Sequence, residues 1–192
     1  MEQIGLLHDG QIYDLQTAEA LNIKGDIIKA DDSKESLEIL RHSCAHMMAQ
    51  AIKELYPEAK FFVGPVVKEG FYYDFKVESK ISDEDLPAIE KKMKEIADRK
   101  LPITRHETTK EEFYEKFKND ELKQAVLKNI KDDTLTIYKQ GDFEDLCRGP
   151  HLPNTRMIRS FKLTRVAGAY LGGDEKNEMI TRIYGIAFFD KQ

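Results

Sequence analysis

An α+β fold, with a mostly antiparallel sheet packed against one long helix and flanking helices, is predicted by three features of the sequence. The first is a helical stretch from Asp32 to Pro57 that carries His42-x3-His46 and no charged residue from His42 through Ile52. The second is a set of alternating apolar runs joined at short turn signals, near residues 4–15, 61–75 and 160–189. The third is the order of these pieces, which mixes hairpins and helices without regular β-α-β alternation and so argues against a parallel sheet.

Taken in order, Ile4–Leu7, a turn at Asp9-Gly10 and Gln11–Leu15 predict a hairpin, with His8 solvated beside the turn. Thr17 is expected to cap a short helix through Leu21, and Asp26–Lys29 to add a strand. So small a piece cannot build its own core. Residues 1–35 are therefore expected to lean, as a β-rich appendage, on a main domain of residues 36–192.

The long helix should start at a capping box of Asp32 and Glu35 and stop at Pro57. At 100° per residue, Leu37, Leu40, Cys44, Met48, Ala51 and Leu55 form one stripe, about 80° wide. His42 and His46 fall on the opposite side, about 40° apart. A solvated face would carry charge, so both sides are expected to be covered: one by a sheet, the other by a cleft.

Phe61–Val67 and Phe71–Phe75 predict a second hairpin, with Gly64-Pro65 marking an edge or a bulge. The period of two puts Phe71, Tyr73 and Phe75 on one face, which by pattern makes Tyr73 a packing residue with a polar tip. Ser82-x-x-Asp85 should open an amphipathic helix with Leu86, Ile89, Met93 and Ile96 inward. A strand is expected over Leu101–His106, then a helix capped by Thr109 with Phe113 and Phe117 inside. Glu121–Ile130 reads as another helix with Leu122, Ala125 and Val126 inward, and the pattern leaves Lys123 as a solvated lysine. Thr134–Lys139 should be a strand, 141–151 a loop, and Ser160–Leu171 with Met179–Phe189 a hairpin.

The 192 residues are 41% hydrophobic and 34% charged, a soluble globular composition. No apolar run suffices to span a bilayer and Met1-Glu2-Gln3 opens no signal peptide, so a cytoplasmic protein with no membrane partner is expected. Two cysteines, Cys44 and Cys147, make no disulfide framework. The net charge is −5, yet Arg148, Arg156, Arg159, Lys162 and Arg165 lie in a stretch without a single acid between Asp145 and Asp174. Such a stretch is either a footprint for a polyanion or a basic strand paired with acidic neighbours.

His42 and His46 on the helix, with Cys147-x3-His151 in the loop, would make a tetrahedral zinc set by ligand type. A cysteine-nucleophile reading lacks the strand-to-helix turn that such chemistry uses.

His42-Ser43-Cys44-Ala45-His46, Gly70-Phe71-Tyr72-Tyr73-Asp74 and Asp145-Leu146-Cys147-Arg148-Gly149-Pro150-His151 together resemble the editing domain of bacterial-type threonyl-tRNA synthetases. Phe161-Lys162-Leu163, Ala167-Gly168-Ala169-Tyr170 and Arg182-Ile183-Tyr184-Gly185 extend the resemblance, which runs in order from about Leu37 to Phe189. Residues 1–36 are short for the ubiquitin-like module that opens this family. The resemblance implies hydrolysis of serine wrongly esterified to threonine tRNA, on a domain of a longer chain.

It further implies a catalytic set of His42, Lys123, Asp145, Cys147 and His151, with Lys128 a rival for the lysine. His46, Tyr73 and Arg148 would bind substrate, and Arg156, Arg159, Lys162 and Arg165 the tRNA. No metal and no cofactor is expected in this domain. ATP, zinc and a homodimer interface would belong to an aminoacylation core outside these 192 residues. Two alternatives remain: a zinc-dependent alanyl-type hydrolase, and a non-catalytic tRNA-binding module.

Overall fold

The structure is a computed structural model that describes residues 1–190; positions 191 and 192, the end of the expected main domain, lie outside the described residues. It is an α+β fold in which every strand pairing is antiparallel. In place of one sheet there are three among the described residues.

The first sheet holds β1 (Gln3–His8), β2 (Gln11–Asp14) and β3 (Asp26–Lys29), in the order β2-β1-β3, with α1 (Leu15–Leu21) between β2 and β3. The cap of α1 is Asp14 rather than Thr17: the Thr17 N–H donates to Asp14 Oδ1 at 2.8 Å. Thr17 lies inside the helix, because the turn into α1 begins immediately after β2. Ile4 and Ile28 of this sheet join the main hydrophobic core.

The long helix is α2 (Lys34–Leu55), starting at Ser33 and ending before Tyr56 and Pro57. Asp32 does not cap it. Its carboxylate instead accepts the N–H of Phe189 at 2.8 Å, tying the end of the last strand to the start of the helix. Ile39, Leu40, Cys44, Ala45, Met48, Ala49 and Ile52 are all buried, so both sides of α2 are covered as expected. Of the expected apolar stripe only Leu55, in the last turn, emerges. Burial of each large apolar side chain here stabilises the fold by about 1.5–3 kcal/mol, and truncating Met48 to Ala would cost about 2–5 kcal/mol.

The second sheet runs β10-β11-β6-β4 from β4 (Lys60–Phe61), β6 (Gly70–Lys76), β10 (Ser160–Tyr170) and β11 (Met179–Phe188), with β5 (Val66–Val67) also paired to β6. Phe71, Tyr73 and Phe75 are buried on its inner face. The break at Gly64 has a steric cause: a Cβ there would sit 2.3 Å from the Tyr73 ring. On the other face Asp74 is buried against Arg182, whose Nε and Nη2 lie 2.6 and 2.8 Å from its two oxygens.

Asp85 accepts the Ser82 N–H at 2.8 Å and leads through a 3-10 turn into α3 (Leu86–Asp98), which buries Leu86, Ile89, Met93 and Ile96. The third sheet is β7 (Thr104–Thr109), β8 (Thr134–Gln140) and β9 (Phe143–Leu146), in the order β7-β8-β9. β7 starts three residues later than expected because Leu101 and Ile103 bond to Thr155 and Pro153 instead of to a strand. β9 was hidden in the expected loop, its acidic composition masking a strand alternation.

Thr109 caps α4 (Lys110–Lys116) as expected, and Asp120 caps α5 (Glu121–Lys128). The inward residues of α5 are Leu122, Lys123 and Leu127, whereas Ala125 and Val126 are only half-buried. The expectation of a solvated Lys123 is thus corrected, since its side chain points into the protein. Among the described residues no helix is long and apolar enough to cross a membrane.

Candidate functional site

Four elements deliver their polar residues to one place. α2 supplies His42, Ser43 and His46; β6 supplies Tyr73; α5 supplies Lys123; β9 and the turn after it supply Asp145, Cys147 and His151. Asp145 is the anchor, 2% exposed. Its Oδ2 accepts the Tyr73 hydroxyl, and its Oδ1 accepts both the Lys123 ammonium and the Leu146 N–H, the latter at 2.8 Å. Burial first, and the adjacent Asp145 charge second, push the Tyr73 phenol well above its usual range, so it stays a donor. A buried lysine beside a buried carboxylate is tolerable only because each satisfies the other.

The histidines form a second group against the first. The rings of His46 and His151 are 4.3 Å apart, and those of His42 and His151 are stacked at 4.8 Å with planes 12° apart. His151 Nδ1 lies 3.0 Å from Ser43 Oγ, and its Nε2 lies 3.1 Å from Cys147 Sγ. Ser43 Oγ also accepts the Leu152 N–H at 2.8 Å, so one hydroxyl bridges the loop backbone and the His151 ring. His42 Nδ1 is 3.2 Å from the Pro150 carbonyl, which can only accept, so Nε2 is the basic nitrogen of His42, 3.8 Å from the Cys147 sulfur.

Burial holds both rings neutral: it lowers His42, and it lowers His151 well below the ordinary histidine range, with His46 and His42 adding to the effect. Burial likewise pushes the Cys44 thiol up, behind the histidines in the apolar core. Cys147 is only half-buried and borders a cleft of about 360 Å³ lined also by Asp132, Thr134, Thr136 and Arg148. A second cleft, of about 430 Å³, reaches Lys123 from the side of Lys53, Phe61 and Glu144.

The structure thus gathers His42, His46, Tyr73, Lys123, Asp145, Cys147 and His151, while Lys128 is exposed at the end of α5. Arg148 is exposed at the rim, 3.8 Å from Asp132. The other cations lie away from the pocket and have partners: Arg156 with Glu2, Arg159 with Asp98 at 2.5 Å and Lys162 with Glu90 at 3.4 Å. Arg165 stacks on the Tyr184 ring at 4.2 Å. Ser43 is the site residue that sequence reasoning passed over. A lone serine amid an uncharged helical run was its only signal.

The donors were also tested against zinc. One ligand atom from each of His42, Cys147 and His151 lies within 4.8 Å of the others, and His46 is outside that group. Metal-directed lone pairs lie in the imidazole plane, and stacked, nearly parallel rings aim theirs side by side. The three donors are close enough to share an ion, but the stacked rings of His42 and His151 are not aimed at a common point.

Comparison with known proteins places this fold and pocket. Residues 135–184 match the family model described as the threonyl and alanyl tRNA synthetase second additional domain. The chain is 65% identical over 191 residues to a threonine–tRNA ligase of Campylobacter jejuni, covering 100% of this chain and 31% of that protein. A threonine–tRNA ligase of Helicobacter hepaticus is also 65% identical, with 100% and 32% covered. One of Campylobacter lari is 72% identical over 162 residues, with 84% and 27% covered. The chain belongs to the threonyl-tRNA synthetases, and it spans about a third of the length of the relatives it matches.

Proposed function

We propose that this part of the synthetase hydrolyses the ester of serine mischarged onto threonine tRNA. The observation that supports this best is the buried Tyr73–Asp145–Lys123 network set directly against the neutral His42–Cys147–His151 group. Serine and threonine differ by one methyl, worth roughly 1–3 kcal/mol in a pocket, so a first selection leaves errors that a second sieve must remove.

The roles follow from the donors and acceptors. Asp145 uses three of its roughly four lone-pair positions on Tyr73, Lys123 and Leu146, leaving one for the α-ammonium of a seryl group. Lys123 keeps protons beyond the one given to Asp145, and these can stabilise the oxyanion that develops on the ester carbonyl. His42 Nε2 accepts a proton from the attacking water, or holds the ribose hydroxyl that leaves. Cys147 and His151 form the wall that a threonyl methyl would strike, and His46 backs His151. No step uses a metal. Arg148 at the rim and the basic stretch 156–165 would meet the acceptor end, and the remaining synthetase chain, with its ATP and zinc and its dimer interface, would present it. The compartment is the cytoplasm.

The test is deacylation of seryl- and threonyl-tRNA(Thr) by the 192-residue chain. Loss of serine about tenfold or more faster than threonine is expected from a methyl-excluding wall. Equal loss of both would remove the sieve, and loss of neither would favour a tRNA-binding module.

A further inference from the structure

We infer that Asp14, from the N-terminal sheet, is a positioning residue for the loop that carries Cys147 and His151, and so for the hydrolysis proposed above, on which its catalytic consequence rests. Asp14 is 3% exposed and lies more than a hundred residues from that loop in sequence. Its Oδ1 serves α1 by accepting the Thr17 N–H. Its Oδ2 faces away from the helix, accepting the His151 N–H at 2.9 Å and the Tyr138 hydroxyl at 2.5 Å.

Tyr138 in turn packs on the ring of His151, centroids 4.4 Å apart, and its hydroxyl is 3.1 Å from Thr17 Oγ1. The loop passes so close that only glycine fits at position 149. A Cβ there would lie 2.9 Å from Asp14 Oδ2 and 2.5 Å from the Tyr138 hydroxyl, at a φ of +82°. One carboxylate oxygen therefore fixes His151 twice, through its backbone and through the ring beneath it. A helix cap needs only the other oxygen. The small N-terminal sheet is thus a brace for the pocket.

Asp14→Asn tests this, because the replacing amide offers one oxygen to groups that need two. If that oxygen keeps the cap, an NH2 confronts the His151 N–H; if it turns to His151, the Thr17 N–H loses its acceptor. The expected result is His151 amide exchange at least about tenfold faster with the Leu40 amide unchanged, and a kcat for seryl-tRNA lowered about tenfold with KM within about twofold, as misplacement without lost binding requires. Tyr138→Phe keeps the bond to the His151 amide and should preserve its slow exchange, with a smaller loss of kcat. Unchanged His151 exchange in Asp14→Asn, an unchanged kcat, or a loss confined to KM would each overturn the inference.

If the wild-type chain hydrolyses no aminoacyl ester, the functional reading fails alone, and the exchange of the His151 amide still decides whether Asp14 braces the loop. Should Asp14→Asn not fold, the wild-type protein carries the test: a slowly exchanging His151 amide is required, and a fast one overturns the inference.

Discussion

The hydroxyl of Ser43 accepts the Leu152 N–H at 2.8 Å and lies 3.0 Å from Nδ1 of His151, so one helical serine ties both the end of a loop and a histidine ring to α2. Ser43→Ala should cost about 1–3 kcal/mol in denaturant unfolding, because the buried Leu152 N–H is left without an acceptor. In ¹⁵N NMR of labelled histidine, Ser43→Ala should shift the tautomer balance of His151, and an unchanged balance would show that Ser43 does not bias it.

Lys123 and Asp145 are both buried, 3% and 2% exposed. Lys123→Met leaves a buried carboxylate unpaired and should lower stability by about 3–5 kcal/mol while abolishing seryl-tRNA hydrolysis. Combining Lys123→Met with Asp145→Leu should recover much of the stability and none of the activity. Lys128→Met should change neither. Near-normal hydrolysis by Lys123→Met would remove that lysine from the chemistry.

His151 stays neutral in the fold because burial lowers its affinity for protons. The unfolded chain, with an ordinary histidine value of about 6.5, binds more protons below that pH, so stability rises with pH across the window beneath it. Unfolding free energy should therefore fall by about 1.4 kcal/mol per such histidine between pH 7.5 and 5.5. His151→Gln should flatten this dependence, and an unchanged slope would show that His151 titrates normally.

The stacked rings of His42 and His151 do not converge on a common point. Protein purified without chelator should hold far less than one zinc per chain, and chelation should leave deacylation unchanged. Stoichiometric zinc, with activity lost on chelation and restored by zinc, would show that the rings rearrange around a metal.

Arg156 and Arg159 are already offset by Glu2 and Asp98, whereas Arg148 and Arg165 make weaker or uncharged contacts. Arg148→Ala and Arg165→Ala should each lower the salt slope of tRNA binding by about one unit, and Arg156→Ala and Arg159→Ala by less. Four unchanged slopes would reduce the stretch to a paired basic strand.

The sequence by itself determined the period of the elements, because helical and strand spacing are local properties of the chain. The doubly covered helix α2, the hairpins β1–β2 and β10–β11 and the inward face of β6 were all legible from residues close to one another. So was the grouping of His42, His46, Cys147 and His151, which their spacing in two short motifs proposes. Only the tertiary structure decided what depends on distant partners. Lys123 reads as solvated on α5 until Asp145, on another strand, gives its charge a buried partner. Asp32 reads as a cap until the Phe189 amide competes for its carboxylate, and Asp14 reads as a strand residue until the His151 loop closes over it. Hydrogen bonds and ion pairs between residues far apart in sequence leave no periodic trace, because the chain brings them together only once its apolar faces have packed.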